Sequence, residues 1–592
     1  MEIYGADISG IEGELIRFRA VKEENRRGTT LLGLAQKVVK EGCVRAIKAI
    51  ETLEGNWDVI SNQGYTIDLH PAETQKNSSG LDLPIAIILL QASILQSEET
   101  LSETIKRLEK TLLNIKHKQS KQNKKESILN QIEILVKQRE RILKYKKRIQ
   151  DNNNKYLLIG SLDFTSGKIE TPYYGMLGMI SAAKKGFKVI VPEEAEIHAA
   201  LVSKATVGTE FYKAVNLQEV WDLILGKVKP RKVQNKTTEI IKKKIHNYIP
   251  DLKAIEGVAK AKFAMEVAVA GGHNILLVGP PGHGKNMLSM AAIELLPQIS
   301  FEEMFEVNKI YSAKGDLHGN EVVVSRPFQE ANNNISIPAL FGGGGRPPLP
   351  GLISLAHTGI LFFDEINMCA PSLVENMRVP LSDKVYKVSR VYGTISFPCN
   401  FILVAAMNPC KCGWYGHYEC PQCKTNFFSN KNKCPNHPEI KLQRKCTCPD
   451  SVVESYKNKL SKPLLDRIDL KILVSSYDDD SDYIFDYATV TIRSRIQKAR
   501  KIQEQRYKHM ANITCNGDIP DKSQFKDIDN AALNYGKTIL KQLNIETKRT
   551  EVKMFLVART IADLAESATI KEMHIDTALD LMGLTDTYFR NI

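Results

Sequence analysis

The chain has no apolar run long enough to cross a bilayer. Its most apolar stretch, residues 81–95, is broken by Asp82, Pro84 and Gln91, whereas a helical span needs about 20 largely apolar residues. The N-terminus carries Glu2, Asp7, Glu12 and Glu14 and lacks the apolar segment of a secretory signal. The expectation is a cytoplasmic protein with no membrane partner. Acid is short relative to base: 68 Asp and Glu stand against 81 Lys and Arg, a net charge of +13. That favours an anionic partner such as nucleic acid, although basic soluble proteins without one are common. Cysteine is sparse over most of the sequence, since seven of the eleven fall within residues 410–448. Such clustering in a cytoplasmic chain argues for metal and against a disulfide framework. A length of 592 residues predicts several domains.

What is present centres on residues 275–287, I-L-L-V-G-P-P-G-H-G-K-N-M. Four apolar residues predict a buried parallel strand, and Gly279, Gly282, Gly284 and Lys285 complete a phosphate-binding loop. Glycines allow backbone N–H groups to turn toward phosphate oxygens, and the following helix directs its positive end at the same anion. Gly279, Pro280, Pro281, Gly282, His283, Gly284, Lys285 and Asn286 are therefore the expected nucleotide-binding residues. Asn286 stands where a Ser or Thr hydroxyl usually ligates Mg²⁺. An amide oxygen can ligate a hard cation, but from one bond further out.

A second motif, G-I-L-F-F-D-E-I at residues 359–366, predicts a buried strand delivering Asp364 and Glu365 to its C-terminal edge, where open parallel sheets bind ligands. Asp364 is expected to hold Mg²⁺ and Glu365 to polarise the attacking water. A third apolar strand, residues 401–406, runs into Asn408, a polar group suited to both water and γ-phosphate. Arg467 lies in L-L-D-R-I-D at residues 464–469. In ring ATPases an arginine so placed enters the neighbouring subunit's site.

Before the loop, residues 1–95 and 156–226 alternate strand-like and helix-like pieces and predict one mixed α/β domain. Ile16, Phe18 and Ala20 form one alternating strand signal; Tyr65, Ile67 and Leu69 form another. Residues 96–155 interrupt that domain. Ile105, Leu108, Leu112 and Ile115 mark one amphipathic run, and Ile128, Ile132, Leu135, Ile142 and Leu143 a second. They predict an antiparallel helical hairpin. Residues 101–150 hold fifteen Lys and Arg against five Glu, so the hairpin is either a nucleic-acid or partner contact or a solvated basic coil. Residues 227–250 read as a linker, 251–475 as the ATPase core and 476–592 as a helical C-terminal domain.

With these motifs in this order the chain resembles AAA+ ATPases of the magnesium-chelatase-like class, and more narrowly the ComM/YifB family. G-G-H-N-I-L-L-V-G-P-P-G, S-L-A-H-T-G-I-L-F-F-D-E, L-V-A-A-M-N-P-C and K-P-L-L-D-R-I-D carry the likeness, with V-A-R-T-I-A-D-L near the C-terminus. The resemblance implies an α/β AAA+ core with a C-terminal helical lid, preceded by a Lon-protease-like (ribosomal S5-like) domain. It makes Asn408 the sensor-1 residue, Arg467 the arginine finger and Arg549 the sensor-2 arginine. It places Gly80 and Leu177 where a Lon protease has its Ser and Lys, so no proteolysis is expected. Asn332, Asn333 and Asn334 stand where the family usually has a His-containing turn. The implied activity is that of an oligomeric ATP-driven motor, a hexamer by the same resemblance, performing helicase-like branch migration on branched or single-stranded DNA during DNA uptake. Two other readings remain open: a magnesium-chelatase-type motor that remodels a partner, and an ATP-gated scaffold that does not hydrolyse.

The cysteine-rich segment, residues 410–448, contains Cys420-x-x-Cys423 and Cys434-x-x-His437, which have zinc-ribbon spacing. Cys410-x-Cys412 and Cys446-x-Cys448 flank them. Two closed tetrahedral sites follow, one on each quartet, with two structural zinc ions per chain alongside ATP and Mg²⁺ as expected cofactors.

Overall fold

The computed structural model describes residues 2–23, 26–53, 63–115, 122–234, 241–242, 249–319, 321–345, 347–390, 393–423, 426–428, 434, 436–474, 488–510, 514–519, 527–545 and 547–590. Parts of the expected linker and the turn of the helical hairpin lie outside them. Among the described residues no helix is long and apolar enough to cross a membrane.

The first 232 residues build an eight-stranded mixed sheet in the order Arg231–Lys232, Glu210–Ala214, Phe187–Pro192, Lys155–Leu158, Glu2–Ser9, Glu12–Glu23, Gly64–His70, Gly28–Leu32. Alternation sets which face is covered: Tyr65, Ile67 and Leu69 are buried, while Thr66 and Asp68 on the other face are half-buried. Beneath the sheet lies helix Asp82–Ile115, whose first turns, Leu83 and residues 85–90, are wholly buried.

That helix is continuous for 34 residues. The sequence suggested a boundary near residue 95, but residues 96–115 contain no Gly or Pro to end a helix. The basic hairpin is thus the outward extension of a core helix, returned by helix Gln122–Gln150. Ile128 and Ile149 are buried, and Ile142 and Tyr145 pack on the domain core. Leu143 does not join this seam and is exposed. Positions 128, 135, 142 and 149 recur every seven residues along one face, and a residue one step further on is rotated about 100° away.

The second sheet is five-stranded and wholly parallel: Phe328–Ala331, Ile360–Phe363, Ile402–Met407, Ile275–Val278, Leu470–Leu473. Every residue of its three central strands is buried, as expected of strands covered on both faces. Helix Ala259–Gly271 and the C-terminal helices Thr489–Tyr507, Lys548–Leu564 and Glu572–Leu581 share one core with it. A separate core ties the first sheet to helix Phe301–Lys314: Leu157, Val189 and Val191 pack with Val307, Ile310 and Tyr311.

Candidate nucleotide site and cysteine clusters

The register of the parallel sheet gathers the chemistry at one edge. Val278 pairs with Met407, and Phe363 with Ala405, so Gly279, Asp364 and Asn408 leave the sheet side by side. Between strand Ile275–Val278 and helix Lys285–Leu295, Gly282 and Gly284 adopt φ of +80° and +72°, a backbone region that L side chains resist. Lys285 opens the helix. Its Nζ donates to Gly279 O at 2.7 Å, Pro280 O at 2.8 Å and Asn408 Oδ1 at 3.3 Å. Burial pushes this ammonium down to about 8, and the charges of Asp364 and Glu365 oppose the shift.

Asn286 Nδ2 donates to Asp364 Oδ2 at 3.1 Å. The two residues expected to flank Mg²⁺ therefore meet, which fits a shared cation. A cation held by both would take the place of their mutual hydrogen bond. Glu365 sits at φ +49°, strain of a kind stored at functional sites. Its N donates to Asp364 Oδ1 at 3.0 Å, and Asn333 Nδ2 donates to its Oε2, also at 3.0 Å. In the sequence Asn333 marks only a departure from the family pattern. Strand Phe328–Ala331 brings it to Glu365, and the sheet order that does so leaves no local sequence signal.

Neither arginine meets Lys285. Arg467 Nε donates to Arg378 O at 3.0 Å and Ser382 Oγ at 2.9 Å, and its NH1 donates to Pro463 O at 2.7 Å. With Arg549 it lines a cleft of about 1200 Å³ that no residue of the 279–286 loop borders. Burial, then the neighbouring charges of Arg549 and Arg378, lower its pKa. Arg467 is thus held away from the chain's own phosphate loop.

The two quartets assemble as their spacing suggested. Cys410 Sγ lies 3.3 Å from Cys412 Sγ and 3.7 Å from Cys446 Sγ, and Cys412 lies 3.5 Å from Cys446. In the other, Cys423 and Cys434 are 3.5 Å apart, and His437 Nδ1 is 3.7 Å from both Cys420 and Cys434. The ligand atoms of each quartet, Cys448 included, all lie within 4.8 Å of one another. Sulfurs bound to one tetrahedral zinc at ~2.3 Å stand ~3.8 Å apart, so both quartets can hold such an ion.

Gly80 lies in the 3₁₀ turn Ser79–Leu81, just before the core helix, and Leu177 in the short helix Met176–Ser181. A Cβ on Gly80 would come within 2.9 Å of Met179 Sδ. Ser78 Oγ accepts from Gly80 N at 2.9 Å and lies 3.4 Å from that same sulfur. Leu177 is buried, and its amide donates to Ser312 Oγ at 3.1 Å. Lys76 is buried too, its Nζ donating to Pro71 O and Thr74 O.

Comparison with known proteins agrees with this arrangement. The family described as magnesium chelatase, subunit ChlI, matches residues 251–430 and 421–481. Its C-terminal family matches 487–582, and a further ChlI family matches 19–113. These define a magnesium-chelatase-like protein with an AAA+-type ATPase domain. The Escherichia coli protein YifB is 29% identical over 571 residues, covering 94% of this chain and 92% of its own. Competence protein ComM of Haemophilus influenzae is 28% identical over 586 residues, covering 98% and 96%. The 67 kDa magnesium-chelatase subunit of Heliobacterium mobile is 27% identical over 199 residues, but these cover only 29% of this chain and 30% of its own. The chain belongs to the ComM/YifB family.

Proposed function

We propose that this protein is an ATP-hydrolysing motor that assembles into a ring, hexameric by family resemblance, and remodels branched DNA by helicase-like branch migration. The convergence of Lys285, Asn286, Asp364, Glu365 and Asn408 on one sheet edge is the observation that carries this reading. ATP would supply the phosphoryl group and Mg²⁺ the charge that bridges its oxygens. Within that site Lys285 holds phosphate, Asp364 and Asn286 hold the cation, and Glu365 orients water. Arg467, held away from its own loop, serves a neighbouring subunit's nucleotide as the arginine finger, and Arg549 takes the sensor-2 role that the resemblance implies. In this reading the Lon-like domain, residues 1–95 and 156–226 with the hairpin growing out of its core helix, is a scaffold without peptidase activity, and residues 476–592 are a lid. Zinc fills both cysteine quartets and stiffens residues 410–448. The full-length match to competence protein ComM supports a role in handling incoming DNA over a chelatase role, because the chelatase likeness covers only part of the chain.

The test is ATP turnover by purified protein with and without forked DNA. Turnover stimulated by DNA and abolished by Glu365→Gln is expected. The Asn286–Asp364 hydrogen bond favours a second reading, an ATP-gated scaffold, because it competes with Mg²⁺ for both ligands. ATP binding with no turnover that Glu365→Gln removes would select it.

A further inference from the structure

The cysteine-rich segment bears directly on the phosphate loop. Cys410 follows Asn408 by two residues, and Gly413 lies so close to Pro281 that an added Cβ would come within 2.7 Å of its Cδ. The ring of His283 packs edge-on against Trp414, with centroids 5.9 Å apart, and against His417 at 6.0 Å. Trp414 and His417 meet edge-on at 5.7 Å. The Lys445 ammonium sits 3.5 Å from the centroid of Trp414, and Lys445 N donates to His417 O at 2.9 Å. Lys445 immediately precedes Cys446. The two arms of the four-cysteine cluster, 410–412 and 446–448, thus close around one aromatic group whose outer contact is residue 283.

That residue is the natural handle on the loop. It stands between two glycines in left-handed conformation, and glycines lose more freedom on ordering than any other residue. A loop already held in place avoids that loss when ligand binds. Neither glycine has a side chain by which the rest of the protein could hold it, whereas His283 has one.

We propose that Trp414 is a positioning residue for nucleotide: gripped by Lys445 between the arms of the four-cysteine cluster, it fixes His283 and so pre-orders the phosphate loop, coupling nucleotide affinity to the integrity of the cluster. The inference rests on the nucleotide-site reading but not on hydrolysis, so it is tested with ADP. Calorimetric titration of the full chain should show Trp414→Ala and His283→Ala each weakening ADP by about five- to tenfold, a common size for coupling between sites. Trp414→Phe, which keeps an aromatic edge, should stay within about twofold on the same scale. Because both alanine variants remove one contact, the double variant should bind no more weakly than either single one. Metal content should match wild type in all of these. Cys448→Ser should lose one metal ion and weaken ADP to the same degree. ADP should also change the intrinsic fluorescence of the wild type, and that change should vanish in Trp414→Phe. Unaltered ADP affinity in folded, metal-replete Trp414→Ala overturns the proposal. If that variant does not fold, unaltered affinity in His283→Ala, which leaves the cysteine lobe untouched, overturns it instead. A wild type that fails to bind ADP at all overturns the nucleotide-site reading along with it, whereas one that binds ADP without hydrolysing ATP overturns the motor reading alone.

Discussion

At the scale of single residues the site depends on one buried cation and one amide. In the proposed site Lys285 would grip phosphate only while protonated, and burial has brought its pKa down to about 8 from an ordinary value near 10.4. Bound phosphate favours the charged form and raises that value, so affinity should be constant below the free value and fall as pH climbs through it. ADP titrations between about pH 7 and 9.5 should show a loss approaching tenfold per unit in the upper part of the range, after the phosphate itself has finished titrating. A flat profile would show that the lysine is not held as described. Asn286 presents the second case. Its amide already donates to Asp364, and a cation held by both would displace that bond. Asn286→Thr supplies a hydroxyl at the usual reach and should raise turnover by roughly tenfold, equivalent to about 1.4 kcal/mol of barrier, with ATP affinity little changed. Of these residues the phosphate loop and the Asp364–Glu365 pair were legible in the sequence because their spacing is local. Asn333, which donates to Glu365 from 32 positions away, was not, because only the order of strands in the sheet puts the two together.

At the scale of elements, parallel strands read plainly as short apolar runs, whereas the junction between core and hairpin did not. A helix that is buried at one end and solvated at the other shows a change of composition with no break in the backbone. This changes how the hairpin can be tested. Removing residues 97–154 would also remove Ile142, Tyr145 and Ile149, which pack on the domain core. Shortening the hairpin to exclude residues 107–138, with a Gly-Ser turn between the stumps, spares them. If the basic hairpin contacts DNA phosphates, this variant should bind DNA more weakly and with a shallower dependence on salt, because each lost phosphate contact releases one counterion fewer. An unchanged slope would leave the hairpin a solvated coil. The short helix Thr587–Arg590 carries a different kind of consequence. Tyr588 donates to Pro409 O at 3.0 Å, next to the asparagine that meets Lys285. The buried Lys457 ammonium lies 4.4 Å from the Tyr588 centroid and 4.9 Å from that of Tyr415. Tyr588→Phe leaves a buried carbonyl without its donor, a loss of about 1–3 kcal/mol, to be read from denaturant melts. Because the carbonyl directly follows Asn408, turnover should fall further than ATP affinity.

At the scale of the whole molecule, the decisive observation is that within one chain Arg467 is held apart from the phosphate loop. Lys285, Asp364, Glu365 and Asn408 face one way, while Arg467 is tethered through Arg378 O, Ser382 and Pro463 O in a cleft that the phosphate loop does not border. Arginine at such a position is worth about 10³–10⁵ in rate where it reaches a transferring phosphoryl group. In the ring proposed above it does so from a second copy. Glu365→Gln should remove turnover because no carboxylate remains to orient water, and Arg467→Ala should remove it because the adjacent subunit loses its arginine. Each variant keeps what the other lacks. In a mixed ring, an interface that pairs the intact Lys285–Glu365 side of an Arg467→Ala chain with the intact arginine of a Glu365→Gln chain is complete. Mixing the two inactive proteins under conditions of subunit exchange should therefore restore a fraction of wild-type ATP turnover, rising to a maximum near equal amounts. The same mixture made with Glu365→Gln/Arg467→Ala double-variant chains should stay inactive, since no interface gains both groups. If single-variant mixtures also stay inactive while sedimentation shows mixed assemblies, the outward arginine does not act across the interface, and the shared-site geometry proposed for this ring is wrong.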